Sequence, residues 1–167
     1  MSLIEQHKER LQKPLKKATL CFLVREGEIL LGLKKRGFGQ GKWNGFGGKV
    51  EEETIEEAMI REMQEEIGVT PKVFRRVATL NFYFPLESGF GQEVVVFIAD
   101  DWEGEIKESE EMSPKWFRVT EIPYEKMWWD DKYWMPRVLA GEILRGEFLF
   151  DGDETLLEMK IETVVAN

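Results

Sequence analysis

Cysteine and histidine are almost missing from this chain of 167 residues, which has one of each, Cys21 and His7. A single cysteine forms no internal disulfide, and Cys21 lies in an apolar run, where a thiol behaves as a small hydrophobe rather than a nucleophile. One histidine leaves no partner set for a His/Cys zinc centre or a Ser/His/Asp triad, so both chemistries are excluded on inventory. Apolar runs long enough to span a bilayer are missing too, and the opening Met1 to Lys17 is charged, without the apolar stretch of a signal peptide. A soluble, cytoplasmic chain with no membrane partner is expected. Basic residues are in deficit, 23 against 32 acidic ones for a net charge of −9, which argues against a nucleic-acid polymer as ligand. An anionic small substrate stays open if divalent cations neutralise both carboxylates and phosphates.

With 43% hydrophobic residues and no linker, one core and one domain are expected over 17–167, with 1–16 an N-terminal extension given no function. Thr19 to Val24 and Glu28 to Leu33 read as a hairpin turning at Arg25-Glu26-Gly27. Between Gly37 and Gly48 six glycines alternate with Phe38, Trp43, Asn44 and Phe46, which suits either ordinary turns or a loop that brings backbone close to a ligand. Thr54 to Ile67 is the strongest helix: Thr54 caps it, Glu56 and Glu57 favour its positive end, Gly68 stops it, and Ile55, Met59, Met63 and Ile67 form its apolar stripe. Strands are predicted at Val73 to Phe84, Val94 to Ala99, Trp116 to Val119, Glu147 to Phe150 and Leu156 to Ile161, and a second helix over Asp131 to Leu144 with Pro136 near its start.

On the first helix Glu62, Glu65 and Glu66 stand three and four residues apart, within one turn on one side. Like charges at such spacing repel by roughly a few tenths of a kcal/mol per pair. A cluster of this kind is commonly a solvated acidic face. Alternatively, hard oxygen ligands on one spot suit Mg²⁺, with Mn²⁺ as a substitute, and phosphate oxygens complete the shell.

The surrounding pattern favours the metal. Gly47, five residues, Glu53, seven residues, then Arg61-Glu62-Met63-Gln64-Glu65-Glu66-Ile67-Gly68-Val69 resembles the whole Nudix box in a loop-then-helix context. The resemblance implies an α/β fold, an α/β/α sandwich with a mixed β-sheet, and hydrolysis of a nucleoside diphosphate linked to another group. By position it implies metal binding by the Gly47 carbonyl, Glu62, Glu65 and Glu66, with Glu53 and Arg61 an ion pair bracing loop against helix. Which glutamate activates water differs among members of the superfamily. Relatives commonly carry a further glycine before the residue matching Glu53, whereas here Glu51-Glu52-Glu53 runs without it.

Outside the box, three segments are similar to the eukaryotic MutT homologues, oxidised purine nucleoside triphosphatases: Lys34-Lys35-Arg36-Gly37-Phe38-Gly39, Trp43-Asn44-Gly45-Phe46-Gly47-Gly48-Lys49 and Met127-Trp128-Trp129-Asp130-Asp131-Lys132-Tyr133-Trp134. The similarity runs through most of residues 18–165. It implies that Asn44, Asp130 and Asp131 hydrogen-bond a purine and that Phe38, Phe82, Trp128 and Trp134 wall it. Thr19 and Lys34 match further pocket positions, Glu111 a carboxylate reaching the metals from outside the box, and Gln92 falls at or near a pocket methionine. An amide offers donor and acceptor to a base edge, and neighbouring carboxyls change between the two with protonation. Taken without the resemblance, Trp128, Trp129, Tyr133 and Trp134 read more readily as core, and Asp130-Asp131 as a helix cap and first-turn acid.

The expected enzyme is a monomer that converts oxidised purine nucleoside triphosphates, 8-oxo-dGTP and 2-hydroxy-dATP, to monophosphate and pyrophosphate. The rivals are a broader nucleotide or dinucleoside polyphosphate hydrolase and a Nudix-fold module that binds a nucleotide without cleaving it. A prenyl diphosphate isomerase would want a reactive cysteine, which Cys21 does not supply.

Overall fold

The computed structural model describes residues 1–152 and 155–164. In chain order the elements are α1 (Leu3–Arg10), β1 (Lys16–Arg25), β2 (Glu28–Lys34), β3 (Trp43–Asn44), α2 (Ile55–Ile67), β4 (Thr70–Tyr83), β5 (Gly91–Glu103), β6 (Met112–Arg118), α3 (Asp131–Leu139), β7 (Leu144–Phe150) and β8 (Leu156–Thr163). The predicted hairpin forms between β1 and β2. Arg25 faces Glu28, and the two turn residues Glu26 and Gly27 both take positive φ, 30° and 79°, the backbone a two-residue connection demands.

The strands run β3-β2-β1-β5-β4-β7-β8, with β6 along the other side of β2. β1 with β5 and β4 with β7 are parallel pairs; the others are antiparallel, so the sheet is mixed. Every residue of β5 from Val94 to Ala99 is buried, as expected of a strand covered on both faces. Strand alternation divides those residues between two cores. Val94, Val96 and Ile98 pack with Phe22, Phe148 and Trp134 on the α3 side, and Val95, Phe97 and Ala99 with Cys21, Met59 and Met63 on the α2 side.

Helix α2 has the ends its sequence foretells. Thr54 Oγ accepts from the Glu57 N–H at 3.1 Å while Glu57 accepts from the Thr54 N–H at 3.2 Å, and Gly68 closes the helix at φ 76°. Cys21 is fully buried, and burial pushes its thiol up to about 12, so it is inert.

Three expectations need correction. The second helix stops at Leu139 rather than Leu144, because Gly141 turns the chain at φ 102° and Leu144 enters β7 as a buried strand residue. Pro136 therefore lies past the middle of that helix. β6 starts at Met112, four residues before Trp116, and Val119 already belongs to a 3₁₀ turn; pairing along the whole of β2 overrides its weak local pattern. β4 begins at Thr70, where Pro71 is accommodated beside register shifts. The opening residues, for which no element is predicted, contain a helix. Ile4 buries against Tyr83 and Leu149, and the Glu158 carboxylate accepts from the N–H groups of Leu3 and Ile4 at 3.1 Å each. The last residues, 165–167, lie outside the described residues.

Candidate active site

The segment after β3 runs along β1. Phe46 and Cys21 exchange backbone hydrogen bonds at 3.0 and 2.7 Å, and the Thr19 N–H donates to the Gly48 carbonyl at 2.9 Å. Here glycine is a steric requirement. A Cβ on Gly47 would overlap the Thr19 carbonyl, and one on Gly48 would meet the Glu62 carboxylate. The loop is thereby laid against the start of the carboxylate cluster on α2.

Arg61 ties the two together. Its guanidinium donates to Glu53 at 2.6 Å, to Glu62 at 3.0 Å and to the Lys49 carbonyl at 3.1 Å, and it reaches Glu65 at 3.4 Å. The turn before α2 forms without the additional glycine: the Glu53 N–H donates to the Glu51 carbonyl, and the Glu53 carboxylate accepts from the Glu51 N–H.

The three glutamates of α2 are not equivalent. Glu65 is exposed, Glu62 half-buried, and Glu66 is 5% exposed with Oε2 lacking any partner. Burial raises the Glu62 carboxyl against the pull of Arg61. Burial, then the neighbouring charge of Glu62, pushes Glu66 up to about 8, with Lys34 opposing. Glu111 lies across the cleft, 3.8 Å from both Lys34 and Arg36. Among the described residues no three acidic, histidine or cysteine side chains are gathered closely enough to share an ion, since Arg61 holds Glu62 and Glu65 while Glu111 turns to Lys34 and Arg36. An all-oxygen donor set, a buried unpartnered carboxylate oxygen and two carboxyls raised by crowding and burial nevertheless fit a divalent cation, which supplies the missing positive charge.

A cavity of about 310 Å³ runs from this cluster to the aromatic side of the sheet. Thr19, Gly47 and Glu66 line one part, while Asn44, Asp130, Asp131, Phe82, Trp128 and Trp134 line the rest, with Phe38 and Lys34 also on its surface. Every residue carried over as a purine contact thus borders one cavity. Glu53, Arg61, Glu62, Glu65 and Glu111 do not border it.

Asp130 and Asp131 stand at the start of α3, only 2% and 3% exposed. The capping alternative fails for Asp130, whose backbone is helical and whose side chain makes no cap bond. Its Oδ2 instead accepts from the Trp134 indole N–H at 2.8 Å, and Asp131 Oδ2 has no hydrogen-bond partner among the described residues. Burial, then the charge of Asp130, holds the Asp131 carboxyl well above the ordinary carboxylate range; burial also raises Asp130, with the Trp134 bond opposing. Asn44 lines the cavity and its Oδ1 accepts from the Gly45 N–H at 2.8 Å, which leaves the amide donors for another partner.

The aromatic alternatives divide. Trp134 is buried in the core and also lines the cavity, whereas Trp129 is 54% exposed and lines no part of it. Phe38, 62% exposed, stacks on Trp128 with ring centroids 5.0 Å apart at 29°. Phe84 and Phe150, which the sequence did not single out, also line the cavity. Strand alternation was the available signal, because each stands two residues from another aromatic on the same face, Phe82 and Phe148.

The NUDIX domain model matches residues 14–138. The chain belongs to the NUDIX family. Among curated NUDIX relatives it is 46% identical to the oxidized purine nucleoside triphosphate hydrolase of Danio rerio over 147 residues, 87% of this chain and 94% of that one. The protein of the same description from Mus musculus is 42% identical over the same shares. Among solved structures, the MutT protein of Bacillus halodurans superposes with a TM-score of 0.78 at 30% identity, over 89% of this chain and 98% of that one. The expected α/β fold with a mixed sheet is the NUDIX fold, and the family establishes a hydrolase that acts on nucleotides.

Proposed function

We propose that this NUDIX enzyme hydrolyses oxidised purine nucleoside triphosphates to the monophosphate and pyrophosphate, keeping damaged precursors out of nucleic acid. The observation that carries this reading is the single cavity with two chemically distinct ends: buried carboxyls and aromatic rings at one, Gly47 and Glu66 at the other. The base inserts between the rings, where stacking contributes about 1–3 kcal/mol, and Asn44, Asp130 and Asp131 meet its polar edge. With one carboxyl protonated and one ionised, the acidic pair offers both a donor and an acceptor, which suits 8-oxo-dGTP and 2-hydroxy-dATP alike.

Glu62, Glu65, Glu66 and the Gly47 carbonyl, with Glu111 opposite, are the residues that would hold Mg²⁺, Mn²⁺ being an alternative. When bound, the ion draws charge from the phosphates and so favours attack by water. Arg61 holds Glu53, Glu62 and the Lys49 carbonyl in register, and Lys34 sets an ammonium beside Glu111 at the cavity. We place the enzyme in the cytoplasm as a monomer without a nucleic-acid partner. No helix among the described residues is long and apolar enough to cross a membrane, and the lone, buried Cys21 needs no oxidising compartment.

The test is kcat/KM for 8-oxo-dGTP, 2-hydroxy-dATP, dGTP and dATP side by side in Mg²⁺. Preference for the oxidised pair is expected. Comparable rates on all four would leave a broad nucleotide hydrolase, and binding without turnover a non-catalytic module.

A further inference from the structure

Among the polar side chains that line the cavity, Gln92 stands outside the base-binding set. Gln92, near the start of β5, is paired through its backbone with Lys16 on β1 and Phe82 on β4, and its half-buried side chain lines the cavity among Phe82, Phe84 and Phe150. Its amide makes no hydrogen bond to the described residues. An amide on an aromatic wall with no protein partner keeps both its donor and its acceptor for a ligand. The polar groups assigned to the base come from other elements, Asn44 from β3 and the acidic pair from α3. Asn44 keeps its amide donors and Asp131 an oxygen without a partner among the described residues, a combination that suits the N1–H, 2-amino and O6 side of a guanine. Gln92, on a different strand of the same cavity, is available to the imidazole side.

We propose that Gln92 reads the C8 edge of the bound purine. Its amide oxygen accepts from N7–H while its amide nitrogen donates to the C8 carbonyl. Oxidation at C8 creates this adjacent donor and acceptor; an ordinary guanine has a bare acceptor at N7 and no carbonyl at C8, so it satisfies half of the amide. The inference rests on the oxidised-purine reading above and sharpens it: Gln92 is a residue that discriminates 8-oxopurines from their unoxidised parents.

The experiment compares the ratio of kcat/KM for 8-oxo-dGTP to that for dGTP in the wild type, Gln92→Met and Gln92→Glu. Methionine keeps the length without hydrogen bonding, and glutamate offers acceptors where the C8 carbonyl needs a donor. One lost hydrogen bond predicts a roughly three- to tenfold fall in the ratio for Gln92→Met, carried by KM, and a larger fall for Gln92→Glu. A measurement that needs no variant uses 7-methyl-8-oxo-dGTP, which lacks the N7 donor and should lose preference with the wild type. Ratios unchanged in both variants, including parallel loss on both substrates, overturn the inference while the wild-type preference keeps the oxidised-purine reading. A wild-type ratio near one overturns both.

Discussion

The two ends of the cavity are built in opposite ways. The carboxylate end comes from one helix and the loop before it, Gly47 to Glu66, within twenty residues, and is held by a single guanidinium. The base end draws on β1, β3, β4, β5, β7 and the start of α3, and is held by packing. Its polar groups are costly to bury and are left short of partners, which is tolerable where a ligand completes them. Local construction preserves chemistry as neighbouring elements drift; distributed construction lets specificity change one side chain at a time.

The sharpest way to break this contrast is Glu66→Gln. It should lower kcat by about two to three orders of magnitude while nucleotide Kd, measured by calorimetry, changes little; a comparable loss of Kd would show that the two ends do not divide their labour. Next in size, Asp130→Asn should shift the ratio of kcat/KM between oxidised guanine and oxidised adenine substrates by roughly ten- to a hundredfold, the scale of a hydrogen bond to a charged group. Equal loss on every base would place Asp130 in hydrolysis instead. Arg61→Lys keeps the charge but loses the fork that spans Glu53, Glu62 and the Lys49 carbonyl; Mg²⁺ titration should show activation weakened by about tenfold, with base preference untouched.

The smallest effect is in stability. Because the folded state raises the Asp131 carboxyl above its unfolded value, that state binds the proton more tightly, so the penalty for ionising Asp131 is absent in acid and grows as pH rises from the ordinary carboxylate range toward its raised value. Asp131→Asn removes the penalty. Its melting temperature should therefore gain on the wild type between pH 4 and pH 8, and a constant difference across that window would mean that Asp131 is not raised.

Much of this architecture is written in short stretches of the chain. Thr54, Glu57 and Gly68 set the ends of α2 through bonds to their own neighbours, and Glu26-Gly27 sets the hairpin through backbone conformation; such features depend on residues adjacent in the chain. The spacing of Gly47, Glu53, Arg61 and the glutamates is of the same kind. α1 has a local signal of the same kind, the Ser2/Glu5 capping box, but its one buried anchor, Ile4, finds Tyr83 and Leu149 far along the chain, and the early end of α3 follows from a buried Leu144 that β7 claims.

The base pocket shows most clearly what only the tertiary structure decided. By local pattern, without the family resemblance, Asp130 reads as a helix cap and Trp134 as ordinary core. The fold turned Asp130 onto the Trp134 indole, withdrew both carboxyls from water, and set Phe84, Phe150 and Gln92 beside them from strands far apart in the chain. Burial and partnership are relations between distant residues. Sequence alone therefore determined the chemistry of the carboxylate helix, whose parts are neighbours along one turn, and tertiary packing determined which groups are left unpaired to recognise a base.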